Sequence, residues 1–276
     1  MLALRLPVMK HEVMGVVKFD PVEIVSGRLD CGILLIADHA MQHLPDEYGR
    51  LGLVDFEFER HIAYDIGVEG LTRRLAERLD CPAIMARFSR LLIDPNRGED
   101  DPTLIRQLYD GAVIPGNYPL SEDERARRIA LYYRPFREAV RRLADEMTQT
   151  SSAPPLVISV HSFTPQMGGR KRPWHAGVLW DKDPRVAAPL IAMMAAEGGI
   201  LIGDNEPYDG ALHGDTLHEI CTSQGIAHAL IEVRQDLIAR DDGIEEWAAR
   251  LSPMLARLNA LPGMHEIRHF GSRAKP

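Results

Sequence analysis

Short apolar runs alternate along this chain with longer segments whose apolar positions recur at helical spacing. The short runs are five or six residues long, rich in aliphatic and often β-branched residues, and bounded by polar or turn-forming residues. Such runs are typical of strands that are buried on both faces of a parallel sheet. The pattern predicts strands at 32–37, 83–87, 156–160, 176–180 and 228–233.

The longer segments predict helices that cover this sheet. Over 55–79, apolar residues fall near helical spacing while Arg and Glu occupy the remaining face. A second helix, over 121–147, begins at Ser121, and Glu124 three residues later completes a capping box. Further helices are predicted at 184–196, 214–224 and 244–260.

Strands that alternate with helices predict an α/β fold, with three α/β/α layers around a mostly parallel, mixed central sheet. The SSAPP run at 151–155 reads as a loop and not as a domain boundary. We expect one domain across 1–276, with a core over about 30–262 and a flexible tail over about 268–276 that ends in the basic GSRAKP. In such a sheet the working residues lie beyond the carboxyl ends of the strands.

The composition favours a small-molecule partner. It lacks the excess of positive charge that is typical of proteins that bind nucleic acids or membrane surfaces. The 276 residues are 45% hydrophobic, which is enough for a full core. Lys and Arg number 32 against 40 Asp and Glu, and the resulting net charge of -8 repels anionic polymers and anionic lipids.

The cysteines and the N-terminal sequence both favour a cytoplasmic protein. Cys31, Cys81 and Cys221 are odd in number and lack C-x-x-C spacing, so they predict neither a disulfide framework nor a cysteine-ligated zinc site. The N-terminal MLALRLPVMKHEVMG interrupts its apolar run with charges, and no run of ~18 apolar residues occurs anywhere. The oligomeric state stays open, a homo-oligomer included.

Two histidines follow predicted strands directly. His39 comes after GILLIA and Asp38, and His161 comes after LVISV. Histidines at equivalent ends of two strands can converge on one metal ion, for which neutral imidazole is a common ligand. The alternative is that each histidine only caps its strand.

Glu232 lies inside the otherwise apolar ALIEV. A carboxylate there carries a heavy desolvation cost unless it meets a cation, a metal-bound water or a hydrogen-bond donor. This position makes Glu232 a candidate general base. A structural ion pair, for instance with Arg234, is the alternative.

The LLIDPNR segment gathers Asp94, Asn96 and Arg97 in one short turn after an apolar run. Arginine presents a planar fork that suits a carboxylate, so the turn is a candidate for substrate binding. Its alternative is a plain Asp-Pro-Asn turn whose arginine points into solvent.

Two further groups are weaker candidates. His61 and Asp65 are four residues apart on a predicted helix, so they would share a face and offer an acid–imidazole pair or one metal ligand. Arg170 and Arg172 lie in a basic, glycine-containing stretch after His161 that could close over an anionic substrate. A hydrogen bond at the surface and a solvated loop are the respective alternatives.

Eight segments of the chain, taken together, resemble those of a known enzyme family. They are, in order, ADHAMQHLPDEYGRLGL, RHIAYDIG, SRLLIDPNR, DGAVIPGN, VHSFTP, RPWHAGVLW, DNEPY and IEVRQDLI. Together they resemble the N-formylglutamate amidohydrolase family over roughly residues 30 to 250, and that family in turn looks like a branch of the zinc carboxypeptidase and aspartoacylase fold. The resemblance implies hydrolysis of N-formyl-L-glutamate to formate and glutamate, a reaction of histidine degradation.

The resemblance also implies roles for individual residues. His39 and His161 would bind a divalent metal, most simply zinc, while Asn96 and Arg97 hold the substrate carboxylate and Glu232 acts as general base. Apart from the resemblance, the position of Arg170 and Arg172 in the basic stretch after His161 leads us to expect that one of them helps to stabilise the oxyanion.

The chain departs from the carboxypeptidase-like H-x-x-E pattern, because Gln42 stands where that pattern has Glu. An amide oxygen is a poorer zinc ligand than a carboxylate, so we expect Asp65 to be the third ligand. Two other functions remain open: a deacylase or carboxypeptidase-like enzyme with another N-acyl or peptide substrate, and a catalytically silent protein that binds an acidic metabolite.

Overall fold

The computed structural model describes residues 19–275, so the N-terminal sequence discussed above and Pro276 lie outside it. The described strands are β1 (Val22–Val25), β2 (Ile33–Ala37), β3 (Ala83–Ala86), β4 (Leu108–Tyr109), β5 (Ala112–Val113), β6 (Leu156–Phe163), β7 (Gln166–Met167), β8 (Arg170–Lys171), β9 (Ala176–Leu179), β10 (Ile202–Asp204) and β11 (His228–Arg234).

Seven of these strands form one sheet in the order β1-β3-β2-β6-β11-β9-β10. The central strands β3, β2, β6 and β11 run parallel, whereas β1 pairs with β3 and β9 pairs with β11 in the antiparallel sense. The remaining strands make two small hairpins, β4–β5 and β7–β8. The mostly parallel, mixed sheet is therefore confirmed, and each of the five predicted strands is present.

The described α-helices are α1 (Val68–Leu79), α2 (Glu122–Arg128), α3 (Arg134–Ser151), α4 (Pro184–Ala196) and α5 (Asp241–Asn259). A π-helical turn, Ile129–Tyr133, joins α2 to α3, so the predicted helix 121–147 exists with an irregular middle. Its start is as expected, because the Ser121 hydroxyl accepts a hydrogen bond from the Glu124 N–H at 3.2 Å. Short 3-10 turns occur at Asp46–Tyr48, Asp55–Glu59, Pro115–Asn117 and Gln235–Leu237.

The helices cover both faces of the sheet, which gives the three predicted layers. Buried side chains of α1, α4 and α5 pack on one face, and those of α3 pack on the other. Strand β2 contributes to both cores in alternation: Ile33, Leu35 and Ala37 face the first core, and Leu34 and Ile36 face the second. This alternation explains why the strand is apolar throughout.

Two of the predicted helices are wrong in extent. The helix expected over 55–79 begins only at Val68, and residues 60–67 form turns. Gly67 at this boundary has φ of 83°, and a Cβ there would lie 2.1 Å from the Ile238 carbonyl oxygen, so the chain enters the helix through a left-handed residue that must be glycine. The helix expected over 214–224 is reduced to a short π-helical turn, His218–Thr222.

The C-terminal residues 268–275 contact the body of the fold. The Arg273 N–H donates to Asp181 Oδ1 at 2.8 Å, and its guanidinium bonds both carboxylate oxygens of Asp209 at 2.8 and 2.9 Å. The Arg268 N–H donates to the Gly225 carbonyl at 2.9 Å. Arg273 of this segment thus finds acidic partners on the body of the fold.

Among residues 19–275, no helix combines the length and the apolar character that crossing a membrane requires.

Candidate active site

Three buried side chains converge at the carboxyl ends of the central strands. Donor atoms of His39, Asp65 and His161 all lie within 4.8 Å of one another. The Asp65 Oδ2 atom is 2.9 Å from His161 Nδ1 and 3.5 Å from His39 Nδ1, and the two imidazole rings meet edge to face with centroids 5.0 Å apart.

Each of the three residues reaches this point from a different part of the fold. His39 lies two residues beyond β2, whereas His161 lies inside β6, which continues to Phe163 and is longer than predicted. Asp65 lies in the turns that replace the start of the predicted helix, where its N–H donates to the His39 carbonyl at 2.9 Å. The prediction that His61 and Asp65 share a helical face is therefore wrong. Instead, His61 Nε2 lies 3.5 Å from Asp110 Oδ2.

A carboxylate holds the far nitrogen of each histidine. Asp94 Oδ1 is 2.7 Å from His39 Nε2, and Asp38 Oδ2 is 3.3 Å from His161 Nε2. Such carboxylates fix the tautomer and the orientation of a metal-binding imidazole and leave its other nitrogen free for the metal. Both Nδ1 atoms consequently face Asp65.

The donor set fits a divalent metal ion. His39 Nδ1 is buried and has no hydrogen-bond partner among the described residues. Two imidazole nitrogens, one carboxylate and an open cavity are what a catalytic zinc site requires. The carboxylate that completes this cluster is that of Asp65.

The electrostatics of the cluster favour positive charge at its centre. Burial raises the pKa of Asp65, but the charge of His39 and the hydrogen bond to His161 outweigh this effect and lower that pKa. Burial lowers the pKa of His161, yet its hydrogen bonds to Asp38 and Asp65 prevail and raise that pKa to about 10. A metal cation would replace the proton on Nδ1, the nitrogen that faces Asp65, while the Nε2 proton stays with Asp38.

Glu232 lies beside the cluster, opposite His161 in the register of the neighbouring strands β6 and β11. Its side chain is buried, and its Oε2 atom has no hydrogen-bond partner in the part of the chain that the structure describes. Burial, opposed by the charge of His161, raises the pKa of Glu232 to about 8. Arg234 pairs instead with Asp236, so the structural ion pair considered above does not form with it.

A cavity of about 500 Å³ opens in front of these groups. Its wall includes the three converging residues, Glu232 and a set of polar and aromatic side chains, among them Arg90, Asn96, Arg97, Arg106, Tyr109 and Tyr208. Arg97 donates from Nη1 to the Asn96 carbonyl at 2.7 Å. Asn96 and Arg97 thus lie where a substrate carboxylate can reach them.

Three predicted substrate-binding residues lie elsewhere. Asp94 is fully buried behind His39, where its second oxygen accepts from Arg90 at 2.8 Å, because a buried carboxylate needs such partners. Arg170 is exposed on the β7–β8 hairpin. Arg172 lies directly behind the lining residues: its guanidinium bonds the hydroxyl of the cavity-lining Tyr208 at 2.9 Å, and its charge opposes the raised pKa of Glu232.

The sequence also left three residues of the site unassigned. Asp38 orients His161, and Arg90 bridges Asp65 and Asp94 at 3.3 and 2.8 Å. Arg106 lines the cavity from a loop that precedes β4. Asp38 had a detectable signal, because it directly follows a buried strand, whereas the two arginines had none beyond their charge.

Comparisons with known proteins identify the family and the fold of this chain. The family model described as N-formylglutamate amidohydrolase matches residues 31–239. A comparison with curated protein sequences gave no match. The structure resembles that of a gene product from Agrobacterium tumefaciens, with 31% identity, a TM-score of 0.81 and coverage of 87% of this chain and 95% of the other.

It also resembles the crystal structure of N-formylglutamate amidohydrolase from Ralstonia eutropha, with 19% identity, a TM-score of 0.67 and coverage of 87% and 97% of the two chains. That second likeness shows the shared fold. The family match covers most of the chain and confirms the resemblance drawn from the sequence motifs, so this chain belongs to the N-formylglutamate amidohydrolase family, a family of amide-hydrolysing enzymes.

Proposed function

We propose that this chain is a metal-dependent amidohydrolase that converts N-formyl-L-glutamate to formate and L-glutamate. The observation that carries the proposal is the convergence of His39, Asp65 and His161 next to the unpartnered carboxyl of Glu232, on the wall of a cavity with several arginines. Family membership supports the reaction class, and the arginines support an acidic substrate.

His39 Nδ1, an oxygen of Asp65 and His161 Nδ1 would hold the metal, and this ligand set suits zinc. When bound, the divalent cation supplies Lewis acidity, which polarises the formyl carbonyl, lowers the pKa of an attacking water and favours the ionised form of Glu232.

Glu232 then acts as the general base. Its carboxylate takes a proton from the water that attacks the formyl carbon, and it returns that proton to the leaving nitrogen as the C–N bond breaks. The unpartnered Oε2 of this carboxyl is free for both transfers. The same side chain therefore serves as base and then as acid.

Asn96 and Arg97 position the substrate through a carboxylate. The turn that bears them is fixed, because the Asn96 N–H donates to Asp94 Oδ1 at 3.0 Å and Arg137 Nε donates to the Pro95 carbonyl at 3.0 Å. A fixed guanidinium lowers the entropic cost of bringing the amide to the catalytic groups.

Release of formate and of free amino acid from a panel of substrates tests this function. We expect zinc-loaded protein to hydrolyse N-formyl-L-glutamate far faster than N-acetyl-L-glutamate or N-formyl-L-leucine, and we expect a strong chelator to abolish turnover. Faster release from N-acetyl-L-glutamate would identify a deacylase of different specificity. Tight binding of N-formyl-L-glutamate without turnover would identify an acidic-metabolite binding protein.

A further inference from the structure

Arg106 presents a guanidinium without an acidic partner to the cavity. Within the described residues it forms no ion pair, and its Nε atom is buried without a hydrogen-bond partner. Its Cζ atom lies 4.6 Å from the centre of the Tyr109 ring, a cation–π contact that orients the group without neutralising it.

The other two arginines of this wall differ from Arg106. Arg90 is held between Asp65 and Asp94, so both ends of its guanidinium are occupied by carboxylates. Arg97 donates to the Asn96 carbonyl and has Asp101 at 4.0 Å. Arg106 is thus the guanidinium of the three with the most unused hydrogen-bonding capacity.

The backbone that carries Arg106 is fixed in place. Its carbonyl accepts from Asn117 Nδ2 at 2.7 Å, and the oxygen of the same Asn117 amide accepts from Arg128 at 2.7 Å. The neighbouring Gln107 carbonyl accepts from the Ile114 N–H at 2.8 Å. The guanidinium is therefore presented by a rigid loop and needs little ordering when it binds a ligand.

An unpaired cation in this position is costly in the ligand-free protein. Burial is the main cause that lowers the pKa of Arg106, and the positive charges of Arg97 and Arg90 act in the same direction, while Tyr109 and Asp94 oppose them. A ligand that brings a carboxylate removes this cost, because it supplies a bidentate partner to a partly desolvated guanidinium.

We propose that Arg106 is the specificity-determining residue for the second carboxylate of a dicarboxylic substrate, with Arg97 binding the first. The inference rests on the proposed function and deepens it, since an N-acyl derivative of an acidic amino acid carries two carboxylates and the cavity offers one arginine for each. A substrate with a neutral group in place of the second carboxylate leaves Arg106 unpaired and is discriminated against.

The test compares three substrates in the wild type and in its variants. The substrates are N-formyl-L-glutamate and its two monoamides, N-formyl-L-glutamine and N-formyl-L-isoglutamine. The variants are Arg106→Gln and Arg97→Gln. Arg50→Gln is the matched control, because Arg50 also stacks on an aromatic ring, 4.1 Å from the centre of Phe58, but pairs with Asp55 and lies outside the cavity.

Arg106→Gln should lower kcat/KM for the diacid by at least ~30-fold, mainly through KM, because one partner of a desolvated charge pair is lost. Arg106→Gln should have little effect on the monoamide that already lacks the carboxylate bound by Arg106. Arg97→Gln should instead have little effect on the other monoamide. Arg106→Lys should restore only part of the loss, since an ammonium lacks the planar fork. Equal losses on all three substrates, or no loss on the diacid, would overturn the proposal.

Binding of the product separates this inference from the proposed function. Calorimetry with L-glutamate, L-glutamine and L-isoglutamine needs no turnover, and it should show the same selective loss in Arg106→Gln. If the wild type releases no formate yet binds L-glutamate through Arg106, the proposed function fails and the inference stands. If the wild type and Arg106→Gln bind L-glutamate equally, the inference fails. Thermal melting of each variant verifies that it is folded.

Discussion

Replacing Asp38 by Asn tests whether the carboxylate behind His161 tunes the metal site by its charge. Asp38 is fully buried, and its Oδ2 atom lies 3.3 Å from His161 Nε2 and accepts from the Ser159 hydroxyl at 3.1 Å. Its Oδ1 atom accepts from the Thr216 hydroxyl. Asn has the same shape, so its amide oxygen can still accept a hydrogen bond from His161. Its NH2 group can donate to the Thr216 hydroxyl oxygen. The Thr216 hydroxyl can then donate to the Pro95 carbonyl, which lies 3.3 Å away.

The substitution therefore removes a negative charge and keeps the hydrogen bonds. Mutation of such an orienting carboxylate typically costs 10- to 100-fold in metal affinity, or about 1.4–2.8 kcal/mol at 1.4 kcal/mol for each factor of ten. We expect zinc affinity to fall within this range. The fold should persist, because no cavity forms and no buried polar atom is left without a partner.

Competition for zinc against a chromophoric chelator measures this change, and thermal melting of the metal-free variant verifies its fold. Ser159→Ala is the matched control, since that hydroxyl contacts both Asp38 Oδ2 and His161 Nε2 at 3.1 Å but carries no charge. Its zinc affinity should fall by less than tenfold. A wild-type affinity in Asp38→Asn, or an equal loss in Ser159→Ala, would refute the role assigned to the charge.

Three further outcomes follow from the geometry. Glu232→Gln should retain the metal and lose roughly 10²–10⁴-fold in turnover, because the amide cannot accept the proton of the water. Measurements of kcat and of bound metal in the variant and in the wild type check this expectation. In the metal-free protein, burial raises the pKa of Glu232 from 4.5 to about 8, so the folded state holds this proton more tightly than the unfolded state. The free energy of unfolding should consequently fall as the pH rises from about 4.5 through 8, and chemical denaturation should give a flatter profile in Glu232→Gln if this group is responsible. Arg128→Met should lower the free energy of unfolding by about 3–5 kcal/mol, because Arg128 bonds the Leu92 and Gly116 carbonyls and the Asn117 side chain from a buried position, and a loss under 1 kcal/mol in denaturant titration would contradict this role.

The central strands and the histidines could be predicted from the sequence because their signals are local. Each strand of the sheet interior is apolar on both faces, so its run of residues stands out without knowledge of its neighbours. A polar residue directly after such a run is placed at the edge of the sheet by the same pattern. His39 was predicted in this way, and Asp38 carried the same signal without being assigned a role.

The position of Asp65 could not be predicted in this way, because it depends on tertiary contacts. Its segment has apolar residues near helical spacing, but residues 60–67 form turns, and Gly67 marks where the helix really begins. The Asp65 N–H is held by the His39 carbonyl, a contact between residues that are 26 positions apart. Chemistry alone suggested Asp65 as a ligand, and for a reason that did not involve its actual conformation.

The role of Asp94 shows a second limit of reading motifs one at a time. Its neighbours Asn96 and Arg97 do line the cavity, but the acid of the same turn points inward. The three residues are close neighbours in the sequence. In the fold, Asp94 lies buried behind His39, whereas Asn96 and Arg97 line the cavity. Only the surrounding buried cations, Arg90 among them, decide which way the carboxylate turns.

The turn at residues 94–97 connects the two halves of the proposed site physically. Asp94 Oδ1 accepts from the Asn96 N–H and also holds His39 Nε2, so the carboxylate that orients one metal-binding imidazole also shapes the substrate-binding turn. The other orienting carboxylate, Asp38, reaches the same turn through the Thr216 hydroxyl, which lies 3.3 Å from the Pro95 carbonyl. Metal affinity and substrate affinity should therefore be coupled and not additive, because substitutions within one hydrogen-bonded network share partners. If the proposed site holds a metal ion between both histidines, that ion would also fix, through these two carboxylates, the turn that carries Arg97 on the cavity wall.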